Sequence, residues 1–254
     1  MKKTDVRIIF RCVPLFLLAL ICSCASRATT HDVDEMMKRI KWYGFGAFRI
    51  ESPDAVIYID PNIRTMPVFK ADADIILITH GHEDNHSEEA VQRLANDKTR
   101  IIMPAQMADL IKKVNPEYTM IEGMAPGDVK KASGMEIEAV PAYNTGFGDA
   151  ALVDHLISYG WLGYVLKFDK VNIYITGGTS LIPEMNDVRC DILIGDFFLG
   201  GDDPAGLVEV ARRTRASMVI PAYLYPAGAV FDEFDVLRGA LPPDVRMTVL
   251  PVPR

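Results

Sequence analysis

The sequence predicts a mixed α/β fold, of the α+β kind, in which a core of two sheet layers is flanked by helices. Short runs rich in β-branched and aromatic residues recur along the 254-residue chain, and such runs are typical of strands. A few segments with helical spacing lie between them, which favours packed sheets covered by helices. Residues 37–254 are long enough for one large domain, and they contain no linker rich in glycine, serine or proline.

The predicted elements follow one another along the whole of this domain. Strands are expected at residues 40–50 (a pair), 55–59, 75–78, 100–103, near 120 and 129, at 135–140, 161–168, 171–175, 192–194, 218–220 and 247–250. Helices are expected at residues 88–94, with Ser87 as the N-cap, and at 104–114, 204–213 and 231–237. The strands at 161–168 and 171–175 are predicted to form a hairpin, and 141–159 a long irregular loop.

Residues 1–24 have the pattern of an export signal. Four cations precede an apolar run at residues 13–21 that is too short to span a bilayer comfortably. A small residue and Cys24 follow, and the segment resembles a bacterial lipoprotein signal in which Cys24 carries the lipid. Cys22 is a poorer lipidation site because the bulky Ile21 precedes it. An ordinary secretory signal and an anchor that is not cut are the alternatives.

Residues 25–36 are mostly small and polar, and we expect them to form a tether between the membrane and the folded domain. His31 lies in this tether and is expected to be solvated. The protein is therefore predicted to be an exported bacterial lipoprotein, held at the periplasmic or cell-surface side of a membrane, with its domain at residues 37–254.

The charge balance and the cysteines narrow the possible partners. The whole chain has a net charge of −7, and the exported part is near −10 because the signal contains four cations and one anion. This charge argues against nucleic acid and against a polybasic membrane contact. After processing, Cys24 and Cys190 remain, so no internal disulfide is expected. Cys190 precedes an apparent strand and is interpreted as a small buried hydrophobe, with metal ligation as the lesser alternative.

The stretch from residue 75 to residue 86, IILITHGHEDNH, contains three of the five histidines of the chain. Its apolar run predicts a buried strand, and His80, His82, Asp84 and His86 follow at every second position. Alternate side chains of an extended segment lie on the same side, so His80 and His82 can direct ring nitrogens at one point. This arrangement suits a transition metal with nitrogen ligands, zinc first among them.

Four segments in a fixed order make the chain similar to a known family. They read IDP at residues 59–61, THGHED at 79–84, GWLGYV at 160–165 and IYITGGTSLIPEM at 173–185. On these motifs the chain resembles the metallo-β-lactamase fold superfamily, and within it the branch of ascorbate-phosphate lactonases and N-acyl-phosphatidylethanolamine phospholipases. The resemblance implies a four-layer αββα sandwich with a metal site at one edge.

The resemblance also implies a set of metal ligands. His80 and His82 match two ligands of the first metal in that family, and His155, six residues before Trp161, falls where the family has the third. Three protein ligands and one open position are typical of a catalytic zinc, which lowers the pKa of a bound water to about 7. Asp84 matches a further family ligand, and we expect it to orient that water or to act as a general base.

The second metal site of the family is altered at three positions. Asn85, Gly178 and Tyr223 stand where the family has histidine, aspartate and histidine. We therefore expect one zinc ion and not two. His86 lies one residue late for the missing ligand, and only a local bulge brings it inward, so we expect it near the start of the following helix. Tyr223 is expected at the pocket edge, where its hydroxyl can donate a hydrogen bond to a substrate.

Two functions remain open on the sequence alone. The first is a lipid-anchored hydrolase that uses one zinc ion on an ester, a lactone or a phosphodiester of unknown identity. The second is a family member without this chemistry that serves as a membrane-tethered binding module. The three altered positions favour the binding module, and the retained histidines favour the hydrolase. A solute-binding lipoprotein is less consistent, because such proteins usually have two lobes.

Overall fold

Two β-sheets form the centre of the structure, a computed structural model that describes residues 28–82, 86–114, 120–145, 155–197, 199, 204–222 and 231–252. The chain builds the sheets one after the other, and neighbouring strands in each sheet are consecutive in sequence. The first sheet contains β1 (Ile40–Trp42), β2 (Phe48–Glu51), β3 (Val56–Ile59), β4 (Ile75–Leu77), β5 (Arg100–Pro104) and β6 (Ile121–Met124). The second contains β7 (Val129–Ala132), β8 (Met135–Pro141), β9 (Leu162–Lys167), β10 (Asn172–Ile175), β11 (Ile192–Asp196), β12 (Met218–Ala222) and β13 (Arg246–Met247).

Each sheet is antiparallel at one side and parallel at the other. In the first sheet, β1, β2 and β3 pair antiparallel, and β3 to β6 pair in parallel. In the second sheet, β7 to β10 pair antiparallel, and β10 to β13 pair in parallel. The carboxyl ends of parallel strands meet at one edge of a sheet. The segments that follow β3 and β4 therefore emerge side by side, as do those that follow β10 and β11.

Helices cover the outer faces of the two sheets. They are α2 (Glu88–Leu94) and α3 (Ala105–Val114) on the first sheet, and α4 (Ala205–Thr214) and α5 (Phe231–Ala240), which contact each other, on the second. Leu94 of α2 packs with Ile76 in the outer apolar cluster of the first sheet. Between the sheets, the buried Tyr164 hydroxyl donates a 2.8 Å hydrogen bond to the Ile78 carbonyl. The four layers confirm the predicted αββα sandwich.

Most of the predicted boundaries agree with the structure to within two residues. The Ser87 side chain caps α2 by accepting a hydrogen bond from the Ala90 amide, as predicted. The hairpin of β9 and β10 is also present. The last predicted strand, at 247–250, is wrong in extent, because only the two residues of β13 pair with β12.

Part of the predicted tether is wrong, because residues 30–36 belong to the folded domain. They lie in α1 (Thr30–Met37), whose first turn is capped by the side chain of Thr29. Val33 and Met36, three positions apart on one face, are buried in the main apolar core. A helix of this length is marginal on its own, so its burial against the sheets stabilises it. The sequence pattern of this segment is too short and too polar to indicate that contact.

The remaining predictions concern His31, Cys190, the signal segment and three site residues. His31 is exposed, as predicted. Cys190 is buried, also as predicted, and burial raises the pKa of its thiol to about 12, which keeps it protonated at pH 7. Within the described part of the chain, no helix has the length and apolarity needed to cross a membrane. The predicted signal segment with Cys24, and also Asp84, Asn85 and Tyr223, lie outside the described residues.

Candidate metal centre

Three imidazoles meet at the edge where β4 ends. His80 and His82 follow β4 directly, whereas His155 comes from the connection between β8 and β9. The ring centroid of His155 lies 4.8 Å from that of His80 and 4.8 Å from that of His82, and the last two are 5.2 Å apart. One ring nitrogen from each lies within 4.8 Å of the other two, so the three can share one ion. The structure thus brings together the three predicted ligands.

This donor set fits a zinc ion. His80 is 1% exposed and His155 is 9% exposed, whereas His82 is half-buried and open to a ligand. Burial lowers the pKa of His80 well below its ordinary value, and the neighbouring imidazoles lower it further. His80 is therefore neutral at pH 7, which is the form that binds metal. Three imidazole ligands with one accessible side are the arrangement of a catalytic zinc site.

The backbone holds His155 in an uncommon conformation. Its φ of +66° lies in the left-handed region, which a residue with a side chain seldom adopts. The carbonyl of His155 accepts a 2.9 Å hydrogen bond from the Asn144 amide, and the Trp161 carbonyl accepts one of 2.9 Å from the Ala142 amide. These two bonds tie the segment to the end of β8. Such strain is characteristic of functional sites, and here it turns the imidazole inward.

A buried hydrogen-bonded chain supports His80 from behind. The Asp60 carboxylate accepts hydrogen bonds from the Thr79 amide (2.8 Å) and from the Thr79 hydroxyl (2.6 Å). The Thr79 oxygen lies 2.7 Å from Nδ1 of His80. Since an ionised carboxylate only accepts, the hydroxyl proton goes to Asp60, and the threonine oxygen accepts from Nδ1–H. Nε2 of His80 is then the unprotonated nitrogen, which is the form that can ligate a metal.

Gly178, where the resemblance implies an aspartate in the family, is packed against the imidazoles. A Cβ atom at this position would lie 2.5 Å from Cε1 of His155 and 3.3 Å from Cε1 of His80. A contact of 2.5 Å requires the His155 ring to move, so only glycine leaves the three imidazoles where they are. The sequence identified this position through the missing acid, and the structure adds that His155 occupies the adjoining space.

His86 is not brought into the group of imidazoles. The metal-binding group found among the described residues contains His80, His82 and His155 only. The His86 side chain instead lines a mostly apolar cavity of about 620 Å³ between α2 and α3. Burial lowers its pKa below the ordinary value, so its ring is neutral at pH 7. This location agrees with the expectation that His86 lies near the start of α2.

Trp161 is a site residue that the sequence did not indicate as such. Its ring centroid lies 4.5 Å from that of His155, 5.0 Å from that of His82 and 5.2 Å from that of His80. The indole forms an apolar wall along one side of the imidazoles. In the sequence Trp161 served only to set the register of the hairpin, and the sole signal for a further role was its short separation from His155.

Comparison with known proteins agrees with this fold. The family model described as "Beta-lactamase superfamily domain" matches residues 39–223. A relative from Archaeoglobus fulgidus, named UPF0173 metal-dependent hydrolase, is 29% identical over 201 residues, which are 73% of this chain and 82% of the relative. A solved structure from Parabacteroides distasonis, of a candidate metal-dependent hydrolase, has 27% identity and a TM-score of 0.68, covering 84% of this chain and 93% of that one.

A more distant solved structure shares the fold alone. It is the metallo-beta-lactamase fold protein YhfI from Bacillus subtilis, with 12% identity and a TM-score of 0.61, covering 82% of this chain and 89% of that one. The family match, by contrast, extends from β1 to the end of β12 and includes all three imidazoles. Because it spans well over half of the sequence, this chain belongs to the beta-lactamase superfamily and has the metallo-β-lactamase fold.

Proposed function

We propose that the protein is a metal-dependent hydrolase that works with a single zinc ion and cleaves an ester, a lactone or a phosphodiester. The observation that carries the proposal is the group of His80, His82 and His155, each of which offers a ring nitrogen within 4.8 Å of the other two. The relatives named metal-dependent hydrolases support the reaction class. The substrate class comes from the resemblance to lactonases and phospholipases.

The residues of the proposed site have two roles, binding the metal ion and positioning its ligands. His80, His82 and His155 would hold the ion, and Asp60 fixes the tautomer of His80 through Thr79. The chemistry that zinc supplies in such a site is a water molecule whose pKa falls to about 7, so that it is a nucleophile at neutral pH. Trp161 keeps one side of the site apolar.

Asp84 is proposed as the residue that moves the proton. It stands two positions after His82 in the sequence, at a place that the family fills with a carboxylate. In this role it accepts the proton of the attacking water and later returns it to the leaving group. A general base of this kind contributes about 10²- to 10⁴-fold to the rate.

A single ion is favoured over a pair of ions on electrostatic grounds. Two dications about 3.5 Å apart repel each other by roughly 19 kcal/mol at an effective dielectric constant of about 20. A bridging carboxylate normally offsets much of this repulsion. Gly178 supplies no carboxylate, and a side chain at this position would overlap His155.

The test is zinc-dependent hydrolysis by the purified chain. The protein is stripped with a chelator and assayed on a chromogenic ester, a lactone and a phosphodiester while zinc is added back. We expect hydrolysis of at least one class, restored by about one equivalent of zinc and reduced about 10²-fold or more in Asp84→Asn. His31→Ala is the matched control because His31 is exposed and remote in sequence from the group. Zinc binding without hydrolysis of any class would favour the binding module instead.

We also propose that the protein is exported and anchored to a membrane through a lipid on Cys24. The support is the short apolar run at residues 13–21, preceded by four cations and followed closely by Cys24. Metabolic labelling with an alkyne fatty acid is the test. We expect label in the wild type and in Cys22→Ala, and none in Cys24→Ala. Label that persists in Cys24→Ala and disappears in Cys22→Ala would place the lipid on the other cysteine.

A further inference from the structure

In the turn that directly follows His155, the chain exposes three large apolar side chains. Leu156 is 40% exposed, Ile157 is 67% exposed and Tyr159 is 40% exposed. We call these three residues the apolar rim. Between His155 and Lys167 the sequence contains no charged residue of the Asp, Glu, Lys or Arg type. Large exposed apolar side chains grouped at the mouth of a site are characteristic of ligand-binding surfaces.

The rim is held in place by a hydrogen bond from α3 and by a hydrogen bond within its own turn. The side-chain amide of Gln106, on α3, donates a 2.8 Å hydrogen bond to the Ser158 carbonyl in the middle of the rim. The turn closes with a hydrogen bond from the Tyr159 amide to the Leu156 carbonyl (2.9 Å) and ends at Gly160, whose φ is +62°. Because this frame fixes the turn, the apolar side chains stay directed outward.

The residues that flank this turn on either side both contact the imidazole group. His155 points into the group of imidazoles at one end, and Trp161 packs against the same group at the other. The Tyr159 ring lies 5.0 Å from the Trp161 ring, which in turn lies 4.5 Å from His155. Tyr159, one of the three residues of the rim, is therefore connected to the imidazoles through Trp161.

On the side of Gly81 the surface is also apolar. Gly81 lies between two of the imidazole-bearing residues and is exposed. A Cβ atom on Gly81 would meet the Met107 sulfur and Cζ2 of Trp161, both at 3.8 Å. The surface beside the imidazoles is thus lined by a thioether, an indole and a glycine.

We propose that the site takes substrates with an uncharged apolar group, an alkyl or aryl chain, next to the bond that is cleaved, and that the apolar rim binds this group. This inference rests on the proposed function, since it names the substrate class of the same site. A second copy of the chain is a poorer occupant, because a stable interface needs about 20–30 residues on each side and the rim has three. The continuity of the rim with the imidazoles through Trp161 favours a ligand that contacts both.

The test measures the binding of linear carboxylates from acetate to octanoate to the zinc-loaded full chain by titration calorimetry. Each carboxylate resembles a hydrolysis product, and each added methylene extends toward the rim. Full burial of a methylene strengthens binding about fourfold, and the half-exposed rim should give about twofold. Octanoate has six more methylenes than acetate and is therefore expected to bind about 60-fold more tightly.

Variants of the rim distinguish it from general hydrophobic binding. In the double variant Leu156→Ser and Ile157→Ser, the ratio of the octanoate and acetate affinities should fall to within about threefold of unity. Val236→Ser is the matched control, because Val236 is 59% exposed on α5, away from the rim in sequence, and should retain the full ratio. A ratio that the rim variant leaves unchanged would overturn the proposal.

The failure of the rim and the failure of the proposed function give different results. The metal-free protein is titrated in parallel, with the fluorescence of Trp161 as a second signal in a Trp42→Phe background. Zinc binding without chain-length dependence would refute the rim and leave the proposed function intact. Chain-length dependence without zinc binding would refute the single-zinc hydrolase and retain the rim. Dimerisation that the rim variant abolishes in sedimentation would identify the rim as a subunit interface and refute its role in substrate binding.

Discussion

The two sheets contribute unlike parts to one site. The first sheet supplies His80 and His82 at the end of β4, buried or half-buried. The second sheet supplies His155 from a strained connection, and at the end of β10 it supplies Gly177 and Gly178, which present no side chain. One side of the site is therefore built of ligands, and the other mostly of backbone that makes room for them.

This difference arises in two sheets of the same design. In both, two parallel strands carry a polar link across their carboxyl ends. In the first sheet the link joins Asp60 to Thr79 and continues to His80. In the second, the Thr176 hydroxyl accepts a 3.1 Å hydrogen bond from the Asp196 amide. The shared link stabilises the frame of each sheet, whereas the metal chemistry depends on what the first sheet adds to its link.

Removal of one imidazole ligand should have the largest effect on zinc binding. His80→Ala deletes a neutral nitrogen ligand from a group of three, and we expect the zinc content to fall from about one per chain to near zero. His155→Ala should behave alike, although it lies on the other sheet. Elemental analysis after dialysis measures both, with His31→Ala as the control. Full zinc retention in His155→Ala would mean that the first sheet binds the ion without the second.

A side chain at the empty position tests the contribution of the second sheet. Gly178→Ala places a methyl 2.5 Å from Cε1 of His155, so we expect zinc affinity to fall about tenfold or more and the unfolding free energy to fall by about 1–3 kcal/mol. Competition with a chromophoric chelator and chemical denaturation measure the two effects. Gly239→Ala is the matched control, since no heavy atom lies within 4 Å of the added Cβ and stability should rise by about 0.5–1 kcal/mol.

Restoration of the family's acid is a sharper form of the same test. Gly178→Asp adds a carboxylate in a space that His155 adjoins, and we expect it to weaken the first ion without recruiting a second. Elemental analysis counts the ions. Two ions per chain in Gly178→Asp would show that the glycine alone had removed the second site.

The link behind His80 should have a smaller effect than the ligands. Thr79→Val removes the hydroxyl between Asp60 and His80, so we expect zinc affinity to fall about 10- to 100-fold. The unfolding free energy should fall by about 1–3 kcal/mol because the Asp60 carboxylate loses a buried partner. Thr79→Ser keeps the hydroxyl and serves as control. Equal zinc affinities in the valine and serine variants would contradict an orienting role for the link.

The smallest expected effect compares ion pairs on the two sheets under acid. Glu122, on the first sheet, accepts hydrogen bonds from Arg100, which lower its pKa to about 2 with the help of Lys130. Glu136, on the second sheet, has its pKa lowered by the hydrogen bond that it accepts from Lys167. A lowered folded pKa adds stability above the unfolded value near 4.5, and this stability is lost as the pH falls from about 4.5 toward 2.

The variants Glu122→Gln and Glu136→Gln measure this difference. Glu122→Gln should cost about 1 kcal/mol of unfolding free energy at pH 7, and Glu136→Gln less. Both differences from the wild type should shrink as the pH falls through that window. Denaturation at a series of pH values provides the measurement. A difference for Glu122→Gln that stays constant down to pH 2 would assign the loss to packing instead of charge.

The parts of the site that the sequence predicted share a local signal. His80 and His82 alternate at the end of an apolar strand, and that spacing fixes their side without any distant contact. His155 needed the resemblance, because no periodic pattern acts on a residue in an irregular loop. Trp161 and Asp60 lie in recognisable sequence motifs, but their contacts with the site could not be predicted. These contacts depend on the register of separate strands, such as the pairing of β3 with β4.

The elements of the fold that have a strong local sequence pattern were predictable, whereas an element that depends on tertiary contacts was not. Strands with apolar alternation and capped helices such as α2 could be assigned within two residues. The helix α1 was missed because its burial depends on a tertiary contact of only two apolar residues, Val33 and Met36. The position of Gly178 was predicted, but the space that His155 takes beside it could not be, since that contact joins residues from two connections of the second sheet.

The number of zinc ions per chain is the decisive measurement for a hydrolase with a single zinc ion. The chain is purified without chelator, supplied with excess zinc, dialysed and analysed for metal and protein together. We expect about one zinc per chain, held by the three imidazoles and lost in His80→Ala. Two zinc ions per chain would contradict the single-ion site and the argument from Gly178, and the absence of bound zinc would contradict the hydrolase itself.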